Sequence, residues 1–122
     1  MSNKNSNELI KEINDLKSKN DYSHYSINEL RDLPFYNGIA EFNFKEFLFY
    51  MLNIAKDDGV ALKYLWRNEY ENMSLNLWYE ITRQNGFNLD IGAHTGIYSI
   101  IGSLNKESPS TVSLEPHFLN FC

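Results

Sequence analysis

The chain has 122 residues, of which 43% are hydrophobic and 22% are charged, and its formal net charge is -5. This is the composition of an ordinary globular protein, and the length allows one domain at most. Because the net negative charge provides no basic field for nucleic acid or anionic lipid, we expect neither as a partner.

Three further features favour a cytoplasmic location. The only cysteine is Cys122, which excludes an intrachain disulfide and a cysteine-based zinc site. The polar stretch MSNKNSNELIKEIND at the N-terminus lacks the apolar segment of a signal peptide. No apolar run is long enough to cross a bilayer, so we expect no membrane span, and we expect no metal site.

Residues 1–40 are predicted to form a helical N-terminal extension. Residues 6–19 predict an amphipathic helix, whose apolar stripe consists of Leu9, Ile10, Ile13 and Leu16. Ser26 and Glu29 have the S-x-x-E spacing of a capping box, which predicts a second, short helix. Pro34 is expected to end that helix.

Residues 41–85 are predicted to form a β-hairpin followed by a helix. The Asp-Gly pair within residues 56–59 lies between two apolar runs, and residues 60–67 alternate as a strand does, which places the hairpin turn at 56–59. The first arm also fits a helical stripe, and the sequence leaves that alternative open. The members of that stripe are Phe44, Phe47, Leu48, Met51 and Leu52.

The helix after this hairpin is predicted to cover residues 75–84. Ser74 has the side chain of an N-cap residue, and Asn85 with Gly86 is a pair typical of a helix end. The inward-facing side chains of this helix are predicted to be Leu75, Trp78, and Ile81 or Thr82.

Residues 86–122 are predicted to begin a Rossmann-like fold. An apolar strand over residues 87–91 precedes a helical pattern, and residues 111–115 form a second strand that Pro116 ends. The apolar stripe of the helix is Ile97, Ile100, Ile101 and Leu104. Strand, helix and strand within so short a stretch predict a βαβ unit with parallel strands. The fold class is therefore α/β, with a helical and hairpin segment before an incomplete Rossmann-like sheet.

The carboxyl ends of these two strands predict a cofactor site. Ligands of open parallel sheets bind there, and here both ends carry an acid, Asp90 and Glu115. Gly92 and Gly96 form the pattern D-x-G-x-x-x-G, which differs from the G-x-G-x-x-G of dinucleotide sites. The start of the following helix is expected to accept a carboxylate.

The charge of Asp90 favours one cofactor over another. A carboxylate beside the turn repels the pyrophosphate of a dinucleotide, whereas S-adenosylmethionine has no phosphate and carries two positive groups. Glu115 has two acceptor oxygens for the ribose hydroxyls, a feature that NAD sites share. The residues favour S-adenosylmethionine and leave an NAD-dependent oxidoreductase as the alternative.

Two stretches of this region closely resemble a known family. LDIGAHTGIYS followed by VSLEPHFLNF is similar to the FkbM family of S-adenosylmethionine-dependent methyltransferases, whose members carry D-x-G-A-x-x-G-x-x-S and then E-P. The upstream stretch DDGVALKYLWRNEYENMSLNLW also resembles part of that family, so the similarity covers residues 43–121. It implies methyl transfer to a hydroxyl of a sugar, lipid or secondary metabolite, by an enzyme with a seven-stranded Rossmann-like sheet.

The resemblance also implies which residues contact the cofactor. Its methionine end would lie against Asp90, Gly92, Ala93 and Gly96, and its ribose against Glu115 and Pro116. Near the same turn lie His94, Thr95, Tyr98 and Ser99, while Tyr70 and Glu71 match a family Y-E pair that would help to close the site. The resemblance assigns no catalytic base and no metal ligand.

The chain is shorter than the fold that the resemblance implies. Two strands of the seven-stranded sheet are predicted within residues 86–122, so we expect an N-terminal fragment that is inactive by itself. A noncatalytic binding module that keeps the Rossmann turn is the alternative. The oligomeric state and the acceptor substrate are not predicted.

Overall fold

The computed structural model describes residues 6–53, 56, 58–84, 86–104 and 110–116. These residues form a mixed α/β structure with five helices and two separate two-stranded sheets, and they do not build a Rossmann-like sheet. None of the described helices combines the length and the apolar character that a membrane crossing requires. The chain divides into two compact units, residues Met1–Tyr70 and Glu71–Cys122, each of which is described by itself below.

The first unit begins with the two predicted helices, α1 (Ser6–Lys19) and α2 (Ile27–Arg31). Both halves of the capping box are present, because the backbone N–H of Glu29 donates to Ser26 Oγ at 3.3 Å and the backbone N–H of Ser26 donates to the Glu29 carboxylate at 2.7 Å. The predictions for these helices are confirmed. One buried side chain from each helix packs with Tyr22, which lies between the helices, and with two residues of the next helix, in a cluster formed by Ile13, Tyr22, Leu30, Leu62 and Trp66.

The β-hairpin of the first unit lies earlier in the chain than predicted. Strands β1 (Gly38–Phe44) and β2 (Phe47–Asn53) pair antiparallel, with Phe42 opposite Phe49. The segment predicted as the first arm therefore contains the hairpin turn itself: Phe44 belongs to β1, and the residues from Phe47 onward form β2. Residue Lys45 adopts a left-handed backbone (φ 52°) in the two-residue turn, which no Asn-Gly or Asp-Gly pair marks in the sequence.

The prediction that residues 60–67 form the second arm of a hairpin is wrong, because they belong to helix α3 (Gly59–Arg67). Asp58 is the N-cap of this helix, and its carboxylate accepts hydrogen bonds from the N–H groups of Val60 at 2.8 Å and Ala61 at 3.2 Å. An aspartate before glycine serves a helix start as well as a turn. The buried residues include three consecutive positions, which excludes strand alternation: Val60, Ala61, Leu62, Tyr64 and Trp66.

The second unit contains α4 (Asn72–Thr82), β3 (Phe87–Ile91), α5 (Ile97–Ser103) and β4 (Ser110–Leu114). Strands β3 and β4 pair in parallel, with Leu89 opposite Val112, so the predicted βαβ unit is confirmed.

Helix α4 differs from its prediction at both ends. Ser74 is not the N-cap, because the helix begins two residues earlier at Asn72, and the capping position is occupied by Glu71 without a side-chain bond to the helix. The helix ends at Thr82, and the predicted ending residue Asn85 lies outside the described residues. Of the predicted inward-facing residues, Leu75 and Thr82 are fully buried.

The two faces of the parallel strand pair differ in polarity. Helix α5 covers the face that carries Asp90, Thr111 and Ser113, since Ser99 of α5 bonds to this face and a Cβ at Gly102 would lie 3.1 Å from Thr111 Oγ1. Alternate residues point to the opposite face. Those side chains are large, apolar and exposed: Phe87, Leu89, Ile91, Val112 and Leu114.

Candidate functional site

The loop between β3 and α5 owes its shape to left-handed backbone at three positions. Gly92, His94 and Gly96 have φ values of 77°, 49° and 74°. A Cβ added to either glycine would meet no atom of the described residues within 4 Å. The backbone conformation, and not crowding, therefore favours glycine at both positions, and no described atom fills the space beside them.

The backbone of this loop is bonded to the end of β4. The N–H groups of Gly92 and Ala93 both donate to the carbonyl oxygen of Leu114, at 2.7 and 3.2 Å, and the N–H of Gly96 donates to Ala93 O at 2.7 Å. These three amides are occupied within the protein, and α5 has only seven residues. The predicted anion site at the helix start therefore gains no support from the loop amides.

Glu115 lies directly against the glycine loop. Its Oε2 accepts a hydrogen bond from the backbone N–H of His94 at 2.6 Å, although the two residues are 21 positions apart. Glu115 is partly buried, whereas His94 is exposed. The structure thus brings the acid at the end of β4 to the turn at the end of β3, as the parallel pairing predicts.

Asp90 connects the strand pair to the first turn of α5. Its Oδ2 accepts a hydrogen bond from Ser99 Oγ at 2.6 Å, and Ser99 Oγ in turn accepts a short hydrogen bond from the Ser113 hydroxyl. Both Asp90 and Ser99 are predicted site residues. Ser113 was missed, although it lies opposite Asp90 in the parallel register and two-residue alternation would have placed it on the same face.

A second acid reaches the start of α5 from the beginning of α4. The Tyr98 hydroxyl donates to Glu71 Oε2 at 2.7 Å. Partial burial is the main cause that raises the pKa of the Tyr98 phenol, and the hydrogen bond to Glu71 raises it further. Trp78 Nε1 donates to the carbonyl oxygen of Tyr98 at 2.7 Å, a contact that the sequence did not predict. Glu71 is therefore bonded to Tyr98, a predicted site residue of α5. Its own backbone has a strained φ of 41°.

The remaining predicted site residues divide into two groups. Thr95 lies in the loop, and its Oγ1 is buried with no hydrogen-bond partner in the described part of the chain. Pro116 follows Glu115 and is exposed. Tyr70 belongs to the first unit, where its ring packs 6.4 Å from that of Tyr64 and lies under the ammonium of Lys63 at 5.1 Å. All the predicted site residues except Tyr70 therefore fall in the second unit.

The polar groups of this site are carboxylates, hydroxyls and backbone amides. Within the ranges that the structure describes, no group of three or more histidine, cysteine or acidic side chains is arranged to hold a metal ion. Compared with known proteins, the chain matches no family model, no curated protein and no solved structure.

Alanine at either loop glycine is expected to destabilise the second unit. Gly92→Ala and Gly96→Ala should each lower the free energy of unfolding by about 1–2 kcal/mol, because an L side chain in left-handed backbone costs that much. The measurement is urea unfolding followed by the fluorescence of Trp78, whose ring packs on Tyr98, in a Trp66→Phe background.

Gly86→Ala is the matched control for these glycine variants. The nearest atom to its added Cβ is Gln84 O at 3.8 Å, an ordinary contact. It should change stability by no more than about 0.5 kcal/mol. If all three variants lost the same stability, the left-handed loop conformation would not be what requires glycine.

Proposed function

We propose that this chain carries the cofactor-binding region of an S-adenosylmethionine-dependent O-methyltransferase, whose acceptor is a hydroxyl of a sugar, lipid or secondary metabolite. The observation that supports it is the meeting of Asp90, the glycine loop and Glu115 at the carboxyl ends of two adjacent parallel strands. The D-x-G-A-x-x-G-x-x-S and E-P motifs name the same residues. The sequence motifs and the arrangement of these residues therefore favour the same cofactor site.

The chemistry of the residues at the loop fits this cofactor. Carboxylates at Asp90 and Glu115 favour a ligand with positive charge and hydroxyl donors, and they disfavour one with phosphates. The open space beside Gly92 and Gly96 leaves room for a ligand against the backbone. The buried, unpartnered Thr95 Oγ1 is a polar group of the kind that a ligand satisfies.

Each residue has a proposed task in this site. Glu115 would accept the ribose hydroxyls, and its existing bond to the His94 N–H would hold the carboxylate in position. Asp90, through Ser99, would keep the first turn of α5 fixed on the strands. The bound cofactor supplies an activated methyl group on its sulfonium sulfur. The protein's contribution at this end is orientation, and the base that removes the acceptor's proton is unassigned.

We also propose that β3 and β4 belong to a larger Rossmann-like parallel sheet. Parallel sheets are covered on both faces, whereas here α5 covers only the polar face. The exposure of Leu89 and Ile91, at the centre and the end of β3, fits strands that pack against a further layer. The two-stranded sheet of β3 and β4 does not itself contain that further layer.

Isothermal titration calorimetry with S-adenosylhomocysteine tests the proposal. The titrated protein is the product of the whole reading frame that contains these residues. We expect saturable one-to-one binding of S-adenosylhomocysteine and no fluorescence enhancement of NADH. Enhancement of NADH fluorescence without binding of S-adenosylhomocysteine would favour the oxidoreductase. Binding of neither ligand would favour a noncatalytic module.

A further inference from the structure

Helix α4 and its N-cap residue bind one residue of the candidate site, Tyr98, through three side chains. The Tyr98 hydroxyl donates to Glu71 Oε2 at 2.7 Å and accepts a second hydrogen bond from the Ser74 hydroxyl. The backbone carbonyl oxygen of Tyr98 accepts a hydrogen bond from Trp78 Nε1 at 2.7 Å, and the two rings lie edge to face with their centroids 6.2 Å apart. Both the backbone and the phenol of Tyr98 are therefore held from α4.

The three side chains lie on the same side of α4. Ser74 and Trp78 follow Glu71 by three and seven residues, a spacing that brings side chains to one face of a helix. Gly102 of α5 allows the two helices to lie close together here, since an added Cβ would be 3.0 Å from Trp78 Nε1. Ser74 has the side chain of an N-cap residue, but it does not cap α4 and bonds to Tyr98 instead. This face of α4 is therefore directed at the start of α5.

The backbone of Glu71 is strained where it makes this contact. Its φ of 41° and ψ of 47° lie in the left-handed region, which is unfavourable for a glutamate. Its side chain makes no capping hydrogen bond to α4, so helix capping does not account for the strain. Strained backbone persists where surrounding contacts hold it, and it is concentrated at ligand-binding and active sites. In this structure, the strained conformation presents the Glu71 carboxylate to the Tyr98 hydroxyl.

Tyr98 lies in the first turn of α5, which continues directly from the glycine loop. Gly96 is the N-cap of α5, and its carbonyl oxygen accepts a hydrogen bond from the Ile100 N–H at 2.8 Å, which closes that turn. The next residue after Tyr98 is Ser99, whose hydroxyl donates to Asp90 of β3. The first turn of α5 is therefore fixed from two sides, by the strands through Ser99 and by α4 through Tyr98.

We propose that Glu71 is a positioning residue of the cofactor site, which through the Tyr98 hydroxyl holds the first turn of α5 and the adjoining glycine loop in the conformation that S-adenosylmethionine binds. This inference rests on the proposed function. The task requires a hydrogen-bond acceptor at Glu71 and not a negative charge, and it requires no contact between Glu71 and the cofactor.

Calorimetry with S-adenosylhomocysteine, on the product of the whole reading frame that contains these residues, tests the positioning role. Glu71→Ala and Tyr98→Phe each remove the hydrogen bond and should each weaken binding by about tenfold, the worth of one hydrogen bond to a charged group. Glu71→Gln keeps an acceptor oxygen for the hydroxyl and should restore nearly wild-type affinity.

Two further variants distinguish this effect from a general loss of the fold. Glu71→Gly removes the acceptor but relieves the left-handed strain, so it should fold at least as well as the wild type and lose the same affinity as Glu71→Ala. Glu80→Ala removes another acid of α4, which is paired with Arg83 on the surface, and it should bind S-adenosylhomocysteine as the wild type does.

The double variant Glu71→Ala, Tyr98→Phe separates action through Tyr98 from direct contact with the cofactor. If Glu71 acts through the Tyr98 hydroxyl, the double variant should bind no more weakly than either single variant, because both changes remove the same interaction. Additive losses, about a hundredfold in the double variant, would show that Glu71 acts independently of Tyr98 and would overturn the proposal. Wild-type affinity in Glu71→Ala, or an equally large loss in Glu71→Gln, would overturn it as well.

Hydrogen exchange of the Ile100 amide reports on the first turn of α5 without any cofactor. Glu71→Ala and Tyr98→Phe should each speed this exchange by about tenfold, because the turn opens more readily once the bond to α4 is lost, whereas Glu71→Gln should not. Lack of S-adenosylhomocysteine binding by the wild-type protein would refute the proposed function and, with it, this inference. Unchanged Ile100 exchange in variants of a protein that does bind S-adenosylhomocysteine would overturn the positioning role alone.

Discussion

The double variant Asp90→Ala, Glu115→Ala is expected to bind S-adenosylhomocysteine roughly a hundredfold more weakly than the wild-type protein, since the loss of the acceptor at Glu115 and the loss of the carboxylate that positions the turn at Asp90 each cost about tenfold or more. The loss of Glu115 removes both the proposed acceptor of the ribose hydroxyls and the bond to the His94 N–H. The loss of Asp90 removes the acceptor of the Ser99 hydroxyl in the first turn of α5. Calorimetry of both proteins under identical conditions gives the ratio.

Further variants separate a local effect from a general one. Glu80→Ala removes an acid of the same unit that is paired with Arg83 on the surface of α4, and it should bind as the wild type does. Glu115→Gln keeps one acceptor oxygen and should show an intermediate affinity. Wild-type affinity in the double variant would exclude these two acids from the site and, with them, the cofactor assignment.

Tyr64→Ala is expected to lower the free energy of unfolding of the first unit by about 3–5 kcal/mol, as for other large-to-small substitutions of buried aromatic residues. Tyr64 is 2% exposed, and its ring contacts those of Phe42 and Phe49 at 5.3 and 5.6 Å. It therefore joins α3 to both strands of the hairpin. A loss of this size approaches the whole stability of a small domain, which is about 5–15 kcal/mol.

Urea unfolding followed by the fluorescence of Trp66, in a Trp78→Phe background, measures this loss in the unit concerned. Tyr50→Ala is the matched control, because Tyr50 is 58% exposed on the outer face of the hairpin. It should cost less than about 1 kcal/mol. Equal losses for the two tyrosines would show that α3 does not pack on the hairpin through Tyr64.

Local sequence determined those elements whose signals have one structural interpretation. The S-x-x-E spacing of Ser26 and Glu29 satisfies two amides at once, so it specifies a helix start wherever it occurs before a helical stripe. The two strands and the glycine turn of the βαβ unit were predicted for the same reason, because a left-handed turn favours glycine and a parallel pair requires a crossover.

Tertiary packing decided the elements whose local signals fit two structures. Asp58 and Gly59 serve equally well as a hairpin turn or as a helix start, and the apolar run after them alternates as a strand does although it forms a helix. The hairpin of residues 38–53 supplies an apolar surface, and Tyr64 of α3 packs against it. Burial of three consecutive residues, Val60, Ala61 and Leu62, then outweighs the apparent alternation.

The same distinction between local sequence and tertiary structure applies to the candidate site. The sequence predicted that Asp90 and Glu115 lie at the ends of consecutive strands and that Gly92 and Gly96 lie in the turn after the first, because strand and turn signals are local properties of the chain. Only the tertiary structure decided what their polar atoms contact: Glu115 the His94 amide, Asp90 the Ser99 hydroxyl, and Tyr98 the Glu71 carboxylate. Hydrogen bonds between residues far apart in sequence depend on distances that folding sets, and no local pattern encodes them.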